Sequence, residues 1–204
     1  MVVGVGLHPF GRFPDKDLGD LAIEAVLQAL EDAKVKWKDV AIAYFGHVYY
    51  QGMSIGETTL SKLGLTGVPI VNVENACSSG STAFWQAYWG ITTGLYDMAL
   101  AFGAEKVPRG PVTVTAEDAP ERYIGGDHMM AGYALRGKRY MEETGAPVTA
   151  LAKVSVKARQ NAAMNPYAHR KDTYTVEEVL NSRMVADPLT LFQCCPTSEG
   201  GAAA

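Results

Sequence analysis

Four short, strand-like apolar runs, residues 2–6, 40–49, 68–73 and 98–103, alternate with three stretches whose apolar residues recur at helical spacing. This alternation constrains the fold more than any other feature of the chain. Strands separated by a helix cannot pair as hairpins, so each connection is a crossover that returns the chain in the same direction. In the first helical stretch the apolar face is Leu18, Leu21, Ala22, Ala25, Val26, Ala29 and Leu30, with Asp15 or Asp17 available as N-cap. A short helix over residues 54–63 ends at Gly64, and Ala83, Phe84, Ala87, Tyr88 and Ile91 mark a third helical face that closes at Gly94. The order β-α-β-α-β-α-β predicts a parallel or mixed layered α/β domain with right-handed crossovers.

The third strand runs straight into Asn75-Ala-Cys-Ser-Ser-Gly-Ser-Thr-Ala83, a cysteine fenced by small residues where the backbone must turn. A thiol near its ordinary pKa is only slightly ionised at neutral pH, so a working cysteine needs surroundings that favour the anion. The first turn of a helix has unpaired N–H groups and the positive end of the helix dipole. Cys77 falls at that position if the strand ends near Glu74 and the helix starts at residues 78–81. The small neighbours would let a carbonyl approach the sulfur. The same residue also reads as a small buried hydrophobe, and these residues alone leave both readings open.

Composition narrows the function classes. The 204 residues are 48% hydrophobic and 20% charged, the balance of a folded globular chain. A net charge of −4 with no basic patch argues against nucleic acid as a partner. No apolar run reaches the length of a membrane span and no secretory signal is evident, so a cytoplasmic location is expected. Three cysteines, two of them adjacent at Cys194 and Cys195, do not form a disulfide framework, and no metal-ligand spacing is present.

From residue 108 to about 149 the pattern loosens, with one helical candidate over 130–144 and another over 148–164. An excursion of this length between strands of one sheet predicts an inserted loop subdomain. Thr175-Val-Glu-Glu178 has capping-box spacing for a further short helix. The boundaries read as a core over 1–107, the loop subdomain over 108–195, and the incomplete start of a last core strand over 196–204.

Five separated segments carry a resemblance. They are Gly46-His-Val-Tyr-Tyr-Gln-Gly52, Val73-Glu-Asn-Ala-Cys-Ser-Ser-Gly-Ser-Thr-Ala83, Ala99-Leu-Ala-Phe-Gly-Ala-Glu-Lys106, Asn165-Pro-Tyr167 with Tyr174-Thr-Val-Glu-Glu-Val179, and Pro188-Leu-Thr-Leu-Phe-Gln-Cys-Cys-Pro-Thr-Ser-Glu-Gly200. In this order they resemble the N-terminal half, with loop subdomain, of the thiolase superfamily, specifically the sterol carrier protein X type thiolases and bacterial acetyl-CoA acetyltransferase-like proteins. The resemblance implies a layered α-β-α fold with a mixed, mostly parallel sheet and an inserted loop subdomain, and a cysteine-dependent acyltransferase that cleaves or forms a 3-ketoacyl-CoA through an acyl-enzyme thioester. Cys77 matches the nucleophile. Coenzyme A and acyl-CoA are implied as substrates, with no covalently bound cofactor.

Met130 falls near the family's loop methionine that faces the acyl pocket, although a flexible gap-filler in a core is an equal reading. His47 reads as a substrate-pocket wall rather than a general base, since nothing in its spacing shows that it reaches a specific proton. Arg109, Arg136, Lys138 and Arg139 are basic residues that could meet CoA phosphates or be merely solvated. Cys194 and Cys195 match a structural feature of the family. The activating histidine and second acid/base group belong to the family's C-terminal half, which has no counterpart in this sequence. A C-terminal half, supplied by a longer chain or by another subunit, is therefore an expected partner, alongside a homodimer through the core sheet and, by analogy, a small OB-fold and zinc-ribbon subunit. Two other functions stay open: a thiolase-fold aldolase acting on a 3-hydroxyacyl-CoA, and a non-catalytic acyl-CoA-binding subunit.

Overall fold

The computed structural model describes residues 1–49, 52–110, 112, 120–124 and 126–204. Tyr50 and Gln51 of the Gly46 to Gly52 segment, and residues 111, 113–119 and 125 of the loosened stretch, lie outside the described residues. In chain order the elements are β1 (Gly6–Leu7), α1 (Leu18–Ala33), β2 (Ile42–Gly46), α2 (Ile55–Leu60), β3 (Ile70–Val73), α3 (Ser79–Thr92) and β4 (Ala99–Lys106). They continue with α4 (Pro120–Tyr123), α5 (Met129–Thr144), α6 (Val148–Ala163), α7 (Val176–Asn181), β5 (Met184–Ala186), β6 (Leu189–Thr190) and β7 (Glu199–Ala203). Two compact units result, one of residues 1–107 with 198–204 and the other of residues 108–197.

The first unit is a five-stranded sheet in the order β1-β7-β4-β2-β3. Strand β2 runs parallel to β3 and β4, and β7 runs antiparallel to β4 and β1. Four of the five strands therefore point the same way and only β7 is reversed, the mixed, mostly parallel sheet that the resemblance implies. The tail expected as an incomplete strand start is β7, paired on both sides.

Period-two alternation divides the core between the two faces of the sheet. Ala43, Phe45, Leu100, Phe102 and Ala104 pack with α1 and α2, whereas Ile42, Tyr44 and Ala101 pack with Ala83 and Ala87 of α3. Asp17, not Asp15, caps α1. Its Oδ1 accepts the Asp20 N–H at 2.7 Å while Asp20 Oδ2 accepts the Asp17 N–H at 2.9 Å, and Lys62 pairs with both carboxylates at 3.0 and 2.9 Å.

Two expectations need correction. The buried strand over residues 2–6 reduces to Gly6–Leu7, with Val2, Val3 and Val5 half exposed. β1 is an edge strand covered on one face by α1, and its glycines are what permit the contact. A Cβ on Gly6 would lie 1.9 Å from the Ala25 carbonyl oxygen. Before β1 the backbone is held by helix side chains, Val5 N–H donating to Asp32 Oδ2 at 2.9 Å. On α3, Phe84 and Tyr88 do not join the buried face: they are 45% and 58% exposed, and the buried stripe is Ser79, Ala83, Ala87 and Gly90. Small residues let α3 lie close on the sheet, and the aromatic side chains are turned outward.

In the second unit the Thr175 capping box forms as expected, with Glu178 Oε2 accepting the Thr175 N–H at 2.7 Å and Thr175 Oγ1 accepting the Glu178 N–H at 3.2 Å. Helix α7 is anchored by buried Val179, whose carbonyl accepts from Thr190 Oγ1 at 2.6 Å. Tyr174 stacks on Phe192 with ring centroids 4.1 Å apart, and the Arg159 guanidinium lies 5.5 Å from the Tyr174 ring. Cys194 is partly buried, and burial followed by its neighbour Cys195 pushes its thiol above the ordinary range. Cys195 is exposed rather than packed.

Candidate active site

Strand β3 ends at Val73 and α3 begins at Ser79, so five residues turn the chain from sheet into helix. The turn pivots on Ala76, which has φ +46°. A non-glycine residue in this left-handed region carries a cost of about 1–2 kcal/mol, so surrounding bonds must hold it there. Buried Ser79 supplies two of them. Its Oγ accepts the Asn75 N–H at 2.8 Å and donates to the Ala76 carbonyl at 2.8 Å. Glu74 Oε1 accepts the Ala76 N–H at 2.7 Å, and Asn75 Nδ2 donates to Thr82 Oγ1 at 2.9 Å.

This elbow presents Cys77 to solvent immediately before the first turn of α3. The core-thiol reading is thereby set aside. The helix start is pressed onto β2 at Gly46, where an added Cβ would stand 2.8 Å from the Ser79 carbonyl carbon and 2.9 Å from the Gly80 nitrogen. Only a glycine lets the α3 terminus, and with it the elbow, approach the sheet this closely.

Cys77, His47, Val48, Phe84, Gly103 and Glu105 line one cavity of about 600 Å³. His47 follows β2. Its backbone N–H donates to the Val73 carbonyl at 3.3 Å, its ring stacks on Phe45 at 5.4 Å, and its Nδ1 is buried with no hydrogen-bond partner among the described residues. The structure thus brings Cys77 and His47 to one cavity. Met130 lies in the first turn of α5, in the second unit, and is partly buried. Of the basic residues, Arg109 is exposed, Arg136 lies over Tyr133 at 5.1 Å, Lys138 pairs with Asp187 and Arg139 pairs with Glu143 at 2.6 Å.

Three contributors escape a reading by residue type. Ser79 reads as a small neighbour of the cysteine but works through hydrogen bonds. Glu105, next to last in β4, reaches back to the segment after β2, accepting the Val48 and Tyr49 N–H groups. Burial, then the neighbouring Cys77 and Glu105, pushes the Tyr49 phenol above its ordinary range. The carboxylate next to last in β4 and the serine two residues after the cysteine were the available signals. Among the described residues no group of three or more His, Cys, Asp or Glu is gathered as metal ligands, and no helix is long and apolar enough to cross a membrane.

Comparison with known proteins agrees with this architecture. The family model "Thiolase, N-terminal domain" matches residues 1–204. The chain belongs to the thiolase family and corresponds to its N-terminal domain. It is 41% identical over 208 residues to benzoylsuccinyl-CoA thiolase subunit BbsB of Thauera aromatica, covering 99% of this chain and 53% of the relative. It is 39% identical over 220 residues to sterol carrier protein 2 of Bos taurus, covering 100% of this chain and 40% of the relative. Among solved structures, the Ltp2-ChsH2(DUF35) aldolase superposes with a TM-score of 0.83 at 27% identity, over 98% of this chain and 53% of that one. The chain thus spans about half the length of the relatives it matches.

Proposed function

We propose that the chain is the nucleophile-bearing half of a thiolase-type acyltransferase and that Cys77 carries the acyl group as a thioester. The observation that carries this reading is the exposed sulfur on a strained elbow, at the start of α3 and inside a cavity. In the thiolytic direction the Cys77 sulfur attacks the 3-keto carbonyl of a ketoacyl-CoA. The bond to the α-carbon breaks, its electron pair leaves as the enolate of acetyl-CoA, and a proton completes that product. The thiolate of a free CoA then attacks the acyl-enzyme and releases Cys77. The backbone N–H of Cys77 is the proposed donor to the acyl oxyanion, and His47 and Met130 are the proposed substrate-binding residues. The activating histidine and the acid that protonates the enolate are proposed to come from a C-terminal half. The outward aromatic face of α3, with Phe84, Trp85, Tyr88 and Trp89 each about half exposed, suits such a partner. A homodimer through the β3 edge is part of the same proposal.

One observation favours a second reading, retro-aldol cleavage of a 3-hydroxyacyl-CoA. The aldolase reported above shares this architecture, and its name couples Ltp2 with a DUF35 protein, so a small subunit of that type is a proposed partner in either case. Intact mass of the assembly after incubation with a ketoacyl-CoA separates the two. An acyl mass on the Cys77 peptide supports the transferase, whereas turnover of a 3-hydroxyacyl-CoA without any adduct supports the lyase.

A further inference from the structure

The segment 47–49 leaves β2 without a strand partner, yet its backbone N–H groups still need acceptors. The first, from His47, goes to the Val73 carbonyl at 3.3 Å, on the strand that leads into the elbow. The next two, from Val48 and Tyr49, converge on one oxygen of Glu105, each at 2.7 Å. The other oxygen of Glu105 lies 3.1 Å from its neighbour's N–H at Lys106. Two donors at this distance on one oxygen fix both the oxygen and the segment in direction. The segment is thus pinned at one end to β3 and along the rest to β4, and His47 and Val48 line the cavity that holds Cys77.

Charge reinforces the argument. Glu105 lines the same cavity, and a bare carboxylate there would oppose both an anionic sulfur and an anionic acyl-CoA. Two amide N–H dipoles from the segment are directed at it, which favours a carboxylate facing the backbone rather than the sulfur. We propose that Glu105 is a positioning residue that holds residues 47–49 as the wall of the acyl-CoA cavity beside Cys77, so that acyl-CoA affinity depends on its reach rather than on its charge. This rests on the acyl-CoA reading of the site given above.

The test is protection of Cys77 from iodoacetamide by acetyl-CoA, read by peptide mass in the purified assembly that contains the chain. Glu105→Gln keeps an oxygen at the same reach, whereas Glu105→Asp keeps the charge and withdraws it by one methylene. Glu105→Ala removes both. The half-protecting acetyl-CoA concentration is expected to stay within about threefold of wild type for Glu105→Gln, and to rise roughly tenfold or more for Glu105→Asp and Glu105→Ala. A purely structural defect would lower the melting temperature of all three without this order. If Glu105→Ala does not fold, the contrast between Asp and Gln decides. The inference is overturned if Asp behaves as wild type while Gln does not, or if all the variants are protected as wild type is. A wild-type protein whose Cys77 acetyl-CoA fails to protect overturns the acyl-CoA reading itself, a result distinct from these.

Discussion

Removing the Ser79 hydroxyl isolates the device that holds the elbow. Ser79→Ala deletes one acceptor and one donor, leaving the Asn75 N–H and one bond to the Ala76 carbonyl unmade. A hydrogen bond contributes about 1 kcal/mol net, and a buried group left unpaired costs about 1–3 kcal/mol. The Ala76 carbonyl keeps its bond from the Ser79 N–H at 3.0 Å and Asn75 is an exposed residue whose N–H water can reach, so the expected destabilisation is about 1–2 kcal/mol. By the usual scaling of melting temperature with stability, that is a drop of roughly 2–8 °C. Part of the hydroxyl's work is to hold Ala76 at positive φ, a strain the elbow can release once the bonds are gone, so the net loss should be larger where that conformation carries no penalty to release. In an Ala76→Gly background, Ser79→Ala should cost more, by up to about 1 kcal/mol, a coupling that a double-mutant cycle by urea denaturation measures directly. A loss below about 0.5 kcal/mol in the wild-type background, the level of an ordinary surface substitution, or equal losses in the two backgrounds, would refute this account of the elbow.

Two further outcomes follow from packing and charge. Gly46→Ala places a methyl group 2.8–2.9 Å from backbone of the first turn of α3, where ordinary contact begins at 3.4 Å; it should cost about 1–3 kcal/mol in urea denaturation and alter the rate of Cys77 alkylation. Burial would raise the Glu199 carboxyl, but the Phe13 N–H, Arg12 and Lys106 outweigh it and hold it below its ordinary value of 4.5. A carboxyl lowered in the folded state contributes stability that is fully present above its unfolded value and is lost as pH falls through the folded one. Stability measured by urea melts should therefore decline as pH drops from about 5, and Glu199→Gln should show a shallower decline over that range.

Much of the fold was legible because it rests on local periodicity. The strand and helix order, the Asp17 and Thr175 caps and the α1 face all follow from spacing that burial then enforces. The misreadings came from neighbours that no local pattern shows. Val2, Val3 and Val5 look like a buried strand, but β1 lies at a sheet edge covered on one side only. Phe84 and Tyr88 have helical spacing, but Gly90 and the alanines of α3 take the sheet-facing side because only small side chains permit so close an approach. Cys77 was visible from the small residues around it. The parts played by Ser79 and Glu105 were not, since each acts through a backbone group brought to it by the fold: Asn75 and Ala76 across the elbow, Val48 and Tyr49 from another strand's end.

The acyl-enzyme is tested most directly by intact mass and peptide mapping of the assembly after brief incubation with a 3-ketoacyl-CoA, with Cys77→Ser alongside. A shortened acyl mass confined to the peptide containing Cys77, and gone from the variant, is the expected result. Turnover of the ketoacyl-CoA with no adduct on Cys77, or turnover undiminished in Cys77→Ser, would contradict the account.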